Sequence, residues 1–144
     1  MSDNAANIQA MYQELILDHY RRPRNKGELD GEHKTIAMKN PLCGDEVYLH
    51  LSVEDEKVAD ISFTGRGCSI SQAAASMITQ AVKGKTAEEA EALGVRYREM
   101  IMGDVTAAQD KSLGQLRALS GVSKFPARVK CALLAWNALE EGLK

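Results

Sequence analysis

No stretch of this 144-residue sequence approaches the roughly 18 consecutive apolar residues that a membrane span requires, which excludes a helical membrane protein. The opening Met1-Ser2-Asp3-Asn4 lacks the basic-then-apolar pattern of a secretory signal, so a cytoplasmic protein with reduced thiols is expected. A basic excess is missing too. Lys and Arg number 18 against 20 Asp and Glu, a net charge of −2, and no field exists to hold nucleic acid. The one basic cluster, Arg21-Arg22-Pro23-Arg24-Asn25-Lys26, reads as a local docking patch or a solvated loop. Repeats and low-complexity linkers are absent, and with 11 Gly and 3 Pro the chain has no excess of breakers. No domain boundary is placed, and residues 1–144 are expected to form one domain. Cysteines number only three, an odd count that suits a disulfide framework poorly. Metal ligation, thiol reactivity and plain burial remain open for them.

What is present has clear periodicity. Ile8, Met11, Tyr12, Leu15, Ile16 and His19 recur at helical spacing, predicting an amphipathic helix over about residues 5–20 that Pro23 ends. Val47, Leu49, Leu51 and Val53 then alternate with polar residues as in a half-buried strand. Glu54-Asp55-Glu56-Lys57 offers a polar hairpin connection to a second strand in which Ala59, Ile61 and Phe63 share a face. Thr35 to Lys39 supplies a third strand. Helices follow: Gln72 to Lys83 with Gly84 as its stop, and a Thr86/Glu89 capping box opening a helix to about Met102. Residues 103–125 are broken by Asp104, Gly114, Ser120 and Gly121 around a short apolar helix near Leu113–Leu119. Pro126 fits the first turn of a last helix with the stripe Val129, Leu133, Trp136, Leu139 and Leu143. The expected fold is α+β: a small antiparallel three-stranded sheet with helices packed on one face and a metal site at one end of the sheet.

The cysteines fall at loop ends. Cys43 lies in Pro41-Leu42-Cys43-Gly44-Asp45, leading into the Val47 strand, and Cys68 follows Gly65-Arg66-Gly67 after the Phe63 strand. If those strands pair through the 54–57 turn, Cys43, Asp45 and Cys68 meet at one end of the hairpin. Cys131 sits on the last helix, roughly 130° from the centre of its apolar stripe at 100° per residue. Arg128 and Lys130 flank it, and the nearby helix N-terminus also favours a thiolate there. Three thiolates and the Asp45 carboxylate would complete a tetrahedral zinc shell. The same thiolates would serve an iron–sulfur cluster, and Asp45 after Gly44 also suits a simple turn. No local C-x-x-C pair is present. His19, His33 and His50 stand beside no cysteine and are left out of the site.

Three segments carry a resemblance: Asn40-Pro41-Leu42-Cys43-Gly44-Asp45, Gly65-Arg66-Gly67-Cys68-Ser69-Ile70-Ser71-Gln72-Ala73-Ala74-Ala75-Ser76, and Arg128-Val129-Lys130-Cys131. They are similar to the IscU/NifU-type iron–sulfur assembly proteins, and the likeness runs from the Met11-Tyr12 helix to Trp136. Within that family the chain resembles the SufU branch. IscU-type scaffolds carry His immediately before the third cysteine, where this chain has Lys130. They also carry a Leu-Pro-Pro-Val-Lys segment recognised by a chaperone, where this chain reads Lys124-Phe125-Pro126-Ala127-Arg128. The stretch between Cys68 and Cys131 looks like the insertion typical of SufU proteins. The resemblance implies a zinc-dependent sulfurtransferase with zinc on Cys43, Asp45, Cys68 and Cys131. It implies that Cys43 accepts persulfide sulfur from a PLP-dependent cysteine desulfurase of the SufS type, for relay to a SufB-containing SUF scaffold complex. Arg128 matches a basic residue near the desulfurase contact. The alternative is a scaffold that builds a transient iron–sulfur cluster on the same residues.

Overall fold

The computed structural model describes residues 2–42 and 44–144, with side chains from residue 8 onward. Its elements are helix α1 (Ser2–Arg21), strands β1 (Lys34–Asn40), β2 (Asp45–Glu54) and β3 (Lys57–Arg66), then helices α2 (Ser69–Val82), α3 (Ala87–Ile101) and the single turn α4 (Val105–Ala108). A 3₁₀ stretch over Lys111–Lys124 and the last helix, α5 (Pro126–Leu143), complete the chain.

The strands form one antiparallel sheet in the order β1-β2-β3. The β2–β3 turn is tight because Asp55 and Glu56 both take left-handed backbone angles, φ 51° and 63°, the geometry that matches strand twist in a two-residue hairpin loop. Alternation then buries Val47, Leu49 and Leu51 of β2 against Ile61 and Phe63 of β3. The expected Ala59 face breaks down at a register shift between Ser52 and Val53. One extra residue there turns Val58 inward and leaves Ala59 and Val53 exposed.

Helices α2 and α5 pack on the sheet, and α3 and the 3₁₀ stretch close over α5. Small residues on α2, Ala73 to Ala75, are wholly buried and let the elements approach closely. The Thr86–Glu89 capping box forms in both directions at the start of α3. Gly84 and Gly103, with φ of 84° and 106°, follow the ends of α2 and α3, where a left-handed residue lets the chain leave a helix. The ambiguous 103–125 region resolves into α4 and a 3₁₀ stretch kinked at Gly114 (φ 53°). Its Leu113, Leu116 and Leu119 still reach the core. Gly94, inside α3, faces Trp136 so closely that a β-carbon there would overlap the indole.

The basic run after α1 is partly structural. Arg24 pairs with Asp18 at 2.6 Å, and Asn25 and Gly27 exchange backbone hydrogen bonds with Phe63 on the outer edge of β3. The other end of that edge is taken by Gly84 and Lys85, which bond Val58, so little of β3 is left unpaired. His50, expected to point outward, is instead buried between Thr35 and Thr64 with the edge of His33 against it. His19 is a core residue, bonded to Ser76 and Gln115. No helix among the described residues is long and apolar enough to cross a membrane.

Candidate metal centre

The β1–β2 connection begins after Asn40 and ends at Asp45, its partner across the two strands. Gly44, with φ of 71°, donates its amide to the Asn40 carbonyl at 2.8 Å and closes this turn, using a conformation that glycine enters freely. Cys43 lies outside the described residues. Leu42 on its one side is 84% exposed, and Asp45 on the other is fully buried, so the turn passes from solvent to the core within a few residues.

Asp45 is fixed by the start of the next helix. Its Oδ1 accepts the backbone N–H of Cys68 at 2.7 Å, and Oδ2 stands 3.6 Å from the Cys68 sulfur. The β2–β3 pairing sets Glu46 opposite Arg66, which puts Asp45 at the level of Gly67. Cys68 is itself the N-cap of α2, its sulfur accepting the Ser71 amide at 3.4 Å. The thiol therefore sits where a helix presents positive potential and stabilises negative charge. Cys131 reaches the same place from α5. The ligand atoms of Asp45, Cys68 and Cys131 all lie within 4.8 Å of one another. Ligands around a tetrahedral zinc stand roughly 3.5–3.8 Å apart for Zn–S bonds near 2.3 Å, so the donor set and its spacing fit such an ion with only small side-chain movement. Soft thiolates with one carboxylate are also the donors that zinc accepts.

Cys131, set off the apolar stripe by its helical angle, joins the cluster. Cys131 is fully buried, because α5 packs on the sheet, α2, α3 and the 3₁₀ stretch together. Almost its whole circumference is core, and a position away from one apolar stripe is still inside. Arg128, one turn earlier, is exposed, and its guanidinium reaches both sulfurs. The negative charge on Cys68, with hydrogen bonds to Cys131 and Cys68, raises its pKa further above the usual value. Lys130, the other neighbour, is exposed. The sequence set Arg128 beside Cys131 as a charge favouring a thiolate, and its i, i+3 spacing to Cys131 matches this contact.

Gln72 was missed. It is buried beside the site, its Nε2 reaching Ser71 Oγ at 3.2 Å and the Glu46 carbonyl at 3.5 Å, while Oε1 has no partner among the described residues. A polar residue within an alanine-rich helix was the visible signal.

Known proteins resemble this chain over nearly its whole length. The model of the NifU-like N-terminal domain matches residues 11–142. Over 145 aligned residues the chain is 48% identical to the zinc-dependent sulfurtransferase SufU of Bacillus subtilis, covering 99% of this chain and 95% of that one. It is 45% identical over 139 residues to the iron–sulfur cluster assembly scaffold protein IscU of Streptococcus pyogenes, covering 96% and 86%. A crystal structure from Fervidobacterium islandicum, described as a candidate iron–sulfur cluster assembly scaffold for the SUF system, superposes with a TM-score of 0.83 at 35% identity, over 91% of this chain and 95% of that one. Fold, clustered donors and full-length similarity agree: this chain belongs to the NifU-like N-terminal domain family of iron–sulfur cluster assembly proteins.

Proposed function

We propose that this chain is a zinc-dependent sulfurtransferase that accepts persulfide sulfur on Cys43 from a PLP-dependent cysteine desulfurase of the SufS type. In this reading residues 1–144 act as one unit in the cytoplasm and pass the sulfur to a SufB-containing SUF scaffold complex. The observation that carries the reading is the cluster of Asp45, Cys68 and Cys131, whose ligand atoms lie within 4.8 Å of one another, with Arg128 interacting with both sulfurs. The 48% identity to a protein named as a zinc-dependent sulfurtransferase supports it, as does Lys130 in the position that the scaffold branch fills with His.

Zinc would be held by Cys43, Asp45, Cys68 and Cys131, and when bound it keeps its thiol ligands deprotonated. The chain's own residues account for the transfer. The Cys43 thiolate attacks the outer sulfur of the donor's persulfide. A new S–S bond forms on Cys43 as the donor's S–S bond breaks, and the donor cysteine leaves as a thiolate. Arg128, exposed beside the cluster, offsets the anionic charge gathered there and faces the incoming partner.

A second reading, a scaffold for a transient iron–sulfur cluster on the same residues, is favoured by the 45% identity to a protein named as an IscU scaffold. Anaerobic purification separates the two. Colourless protein with about one zinc per chain, and an added sulfur on Cys43 after incubation with desulfurase and cysteine, supports the transferase. Brown protein with iron and sulfide overturns it in favour of the scaffold.

A further inference from the structure

An open groove of about 830 Å³ runs between α1 and the segment from the end of α3 to the start of α5. Its floor and walls are apolar, including Tyr12, Ile16, Ala118 and Val122. Along its rim Ile8, Val105 and Phe125 are exposed by 48%, 70% and 62%. Apolar side chains gathered in this way on an exposed surface mark a binding site more often than chance. The volume falls within the range of ligand sites, but the groove is an open trough between helices, the shape that receives an amphipathic segment rather than a small molecule.

The groove is continuous with the sulfur site. Ile70, two residues after Cys68, lines it, and so does Arg128, whose guanidinium reaches the sulfurs of Cys68 and Cys131. Lys124, four residues before Arg128, lines it as well. None of the ion pairs among the described residues involves Lys124, Arg128 or Lys130, in a chain whose net charge is −2. Among the described lining residues the one carboxylate, Asp104, is occupied in capping α4 through the Ala107 amide. Arg128 is engaged with the sulfurs, so the exposed Lys124 is the groove cation left for an occupant to meet, and an acidic group on the occupant would match it.

We propose that this groove docks an amphipathic segment of the sulfur-donating protein, with apolar side chains along its length and an acidic group beside Lys124. The inference rests on the sulfurtransferase reading and adds to it the surface that holds the donor in register. Apolar contacts in the trough supply residence, while Lys124 speeds encounter and fixes direction. Arg128 joins the two functions, since it borders both the groove and the sulfurs.

The experiment uses the zinc-loaded full chain and purified cysteine desulfurase from the same organism. Val105→Glu and Ile8→Glu place acidic groups on the groove at exposed positions that are not among the clustered site residues. Each should raise the Kd for the desulfurase by about tenfold or more, with zinc content and thermal midpoint unchanged. Sulfur addition to Cys43 should recover at saturating donor. Lys124→Glu should slow association and flatten its salt dependence. Wild-type chain that takes up sulfur, with all three variants binding like it, overturns the groove and leaves the transferase standing. Wild-type chain that takes up no sulfur at any donor concentration overturns both. A concentration-dependent dimer abolished by Val105→Glu assigns the groove to a second copy and overturns this occupant.

Discussion

Gly67 lies so close against the Asp45 carboxylate that a β-carbon on it would fall on Oδ1 and crowd the Ser71 hydroxyl as well. Its φ of 152° is one that side chains rarely adopt. The same Oδ1 holds the Cys68 amide, so any residue but glycine pushes apart a ligand and the loop that carries another. Gly67→Ala should destabilise the chain by about 1–3 kcal/mol and lower zinc affinity with it. Denaturant melts and zinc titrations check this. A variant with normal zinc affinity would show that the loop can yield without moving Asp45.

The cysteines should divide the work. In the sequence Cys43 stands between the exposed Leu42 and Gly44, whereas Cys131 is buried on a packed helix. Cys43→Ser should abolish persulfide formation on this chain. Cys131→Ser should act mainly through weaker zinc binding. Mass spectrometry after incubation with desulfurase and cysteine reads the first, and competition with a zinc chelator the second. Added sulfur on Cys131 in the unmutated protein, with Cys43 unmodified, would reverse the assignment.

His19 makes stability fall in mild acid. Gln115 Oε1 can only accept, so His19 Nε2–H donates to it, and Nδ1 of the neutral ring accepts the Ser76 hydroxyl, whose oxygen in turn accepts the Arg24 amide. Burial lowers the ring's pKa below the usual 6.5; the Gln115 bond and Asp18 oppose this, and Arg24 adds to it. Because the folded pKa is depressed, the unfolded chain takes up the proton first. Stability is complete above pH 6.5 and is lost as pH falls from there toward the folded-state value. His19→Gln should cost about 1–3 kcal/mol near neutrality, and the gap to wild type should narrow in acid. Urea denaturation of both metal-free proteins at several pH values checks it; a gap constant with pH would mean that the ring does not titrate differently on folding.

Glu56 holds a left-handed conformation, φ 63°, on an exposed hairpin tip, and its carbonyl accepts the Ala87 amide. Glycine keeps that backbone bond and removes the steric cost, about 1 kcal/mol per residue. Glu56→Gly should therefore raise the thermal midpoint without altering zinc content. A lowered midpoint would mean that the added freedom of the unfolded chain outweighs the relieved strain.

Local signals in the sequence correspond well to local structure. The Thr86–Glu89 box, the alternation from Val47 to Leu51 and Pro126 at the first turn of α5 each act over a few residues, and each forms as its pattern predicts. The pairing of Asp45 with Cys68 was legible for the same reason, since one hairpin brings them together. What stayed hidden depends on distant partners. The bulge at Ser52 and Val53 decides that Val58, not Ala59, faces the core. Helix α5 has neighbours on nearly every side, so one stripe understated its burial. His50 looked solvated because its buried surroundings come from Thr35, Thr64 and His33 on other segments.

Trp136 is the chain's one tryptophan, and it stands on the helix that delivers Cys131. Its indole is 1% exposed and stacks on Tyr97 at 5.2 Å between centroids, while the Tyr97 hydroxyl is tied to the Ala132 carbonyl beside Cys131. Nature has thereby placed an optical probe at the back of the sulfur site. Any loosening of α5 around Cys131 must disturb this aromatic pair, so intrinsic fluorescence reports on ligand-helix order in unlabelled protein, in real time, through metal loss or partner encounter.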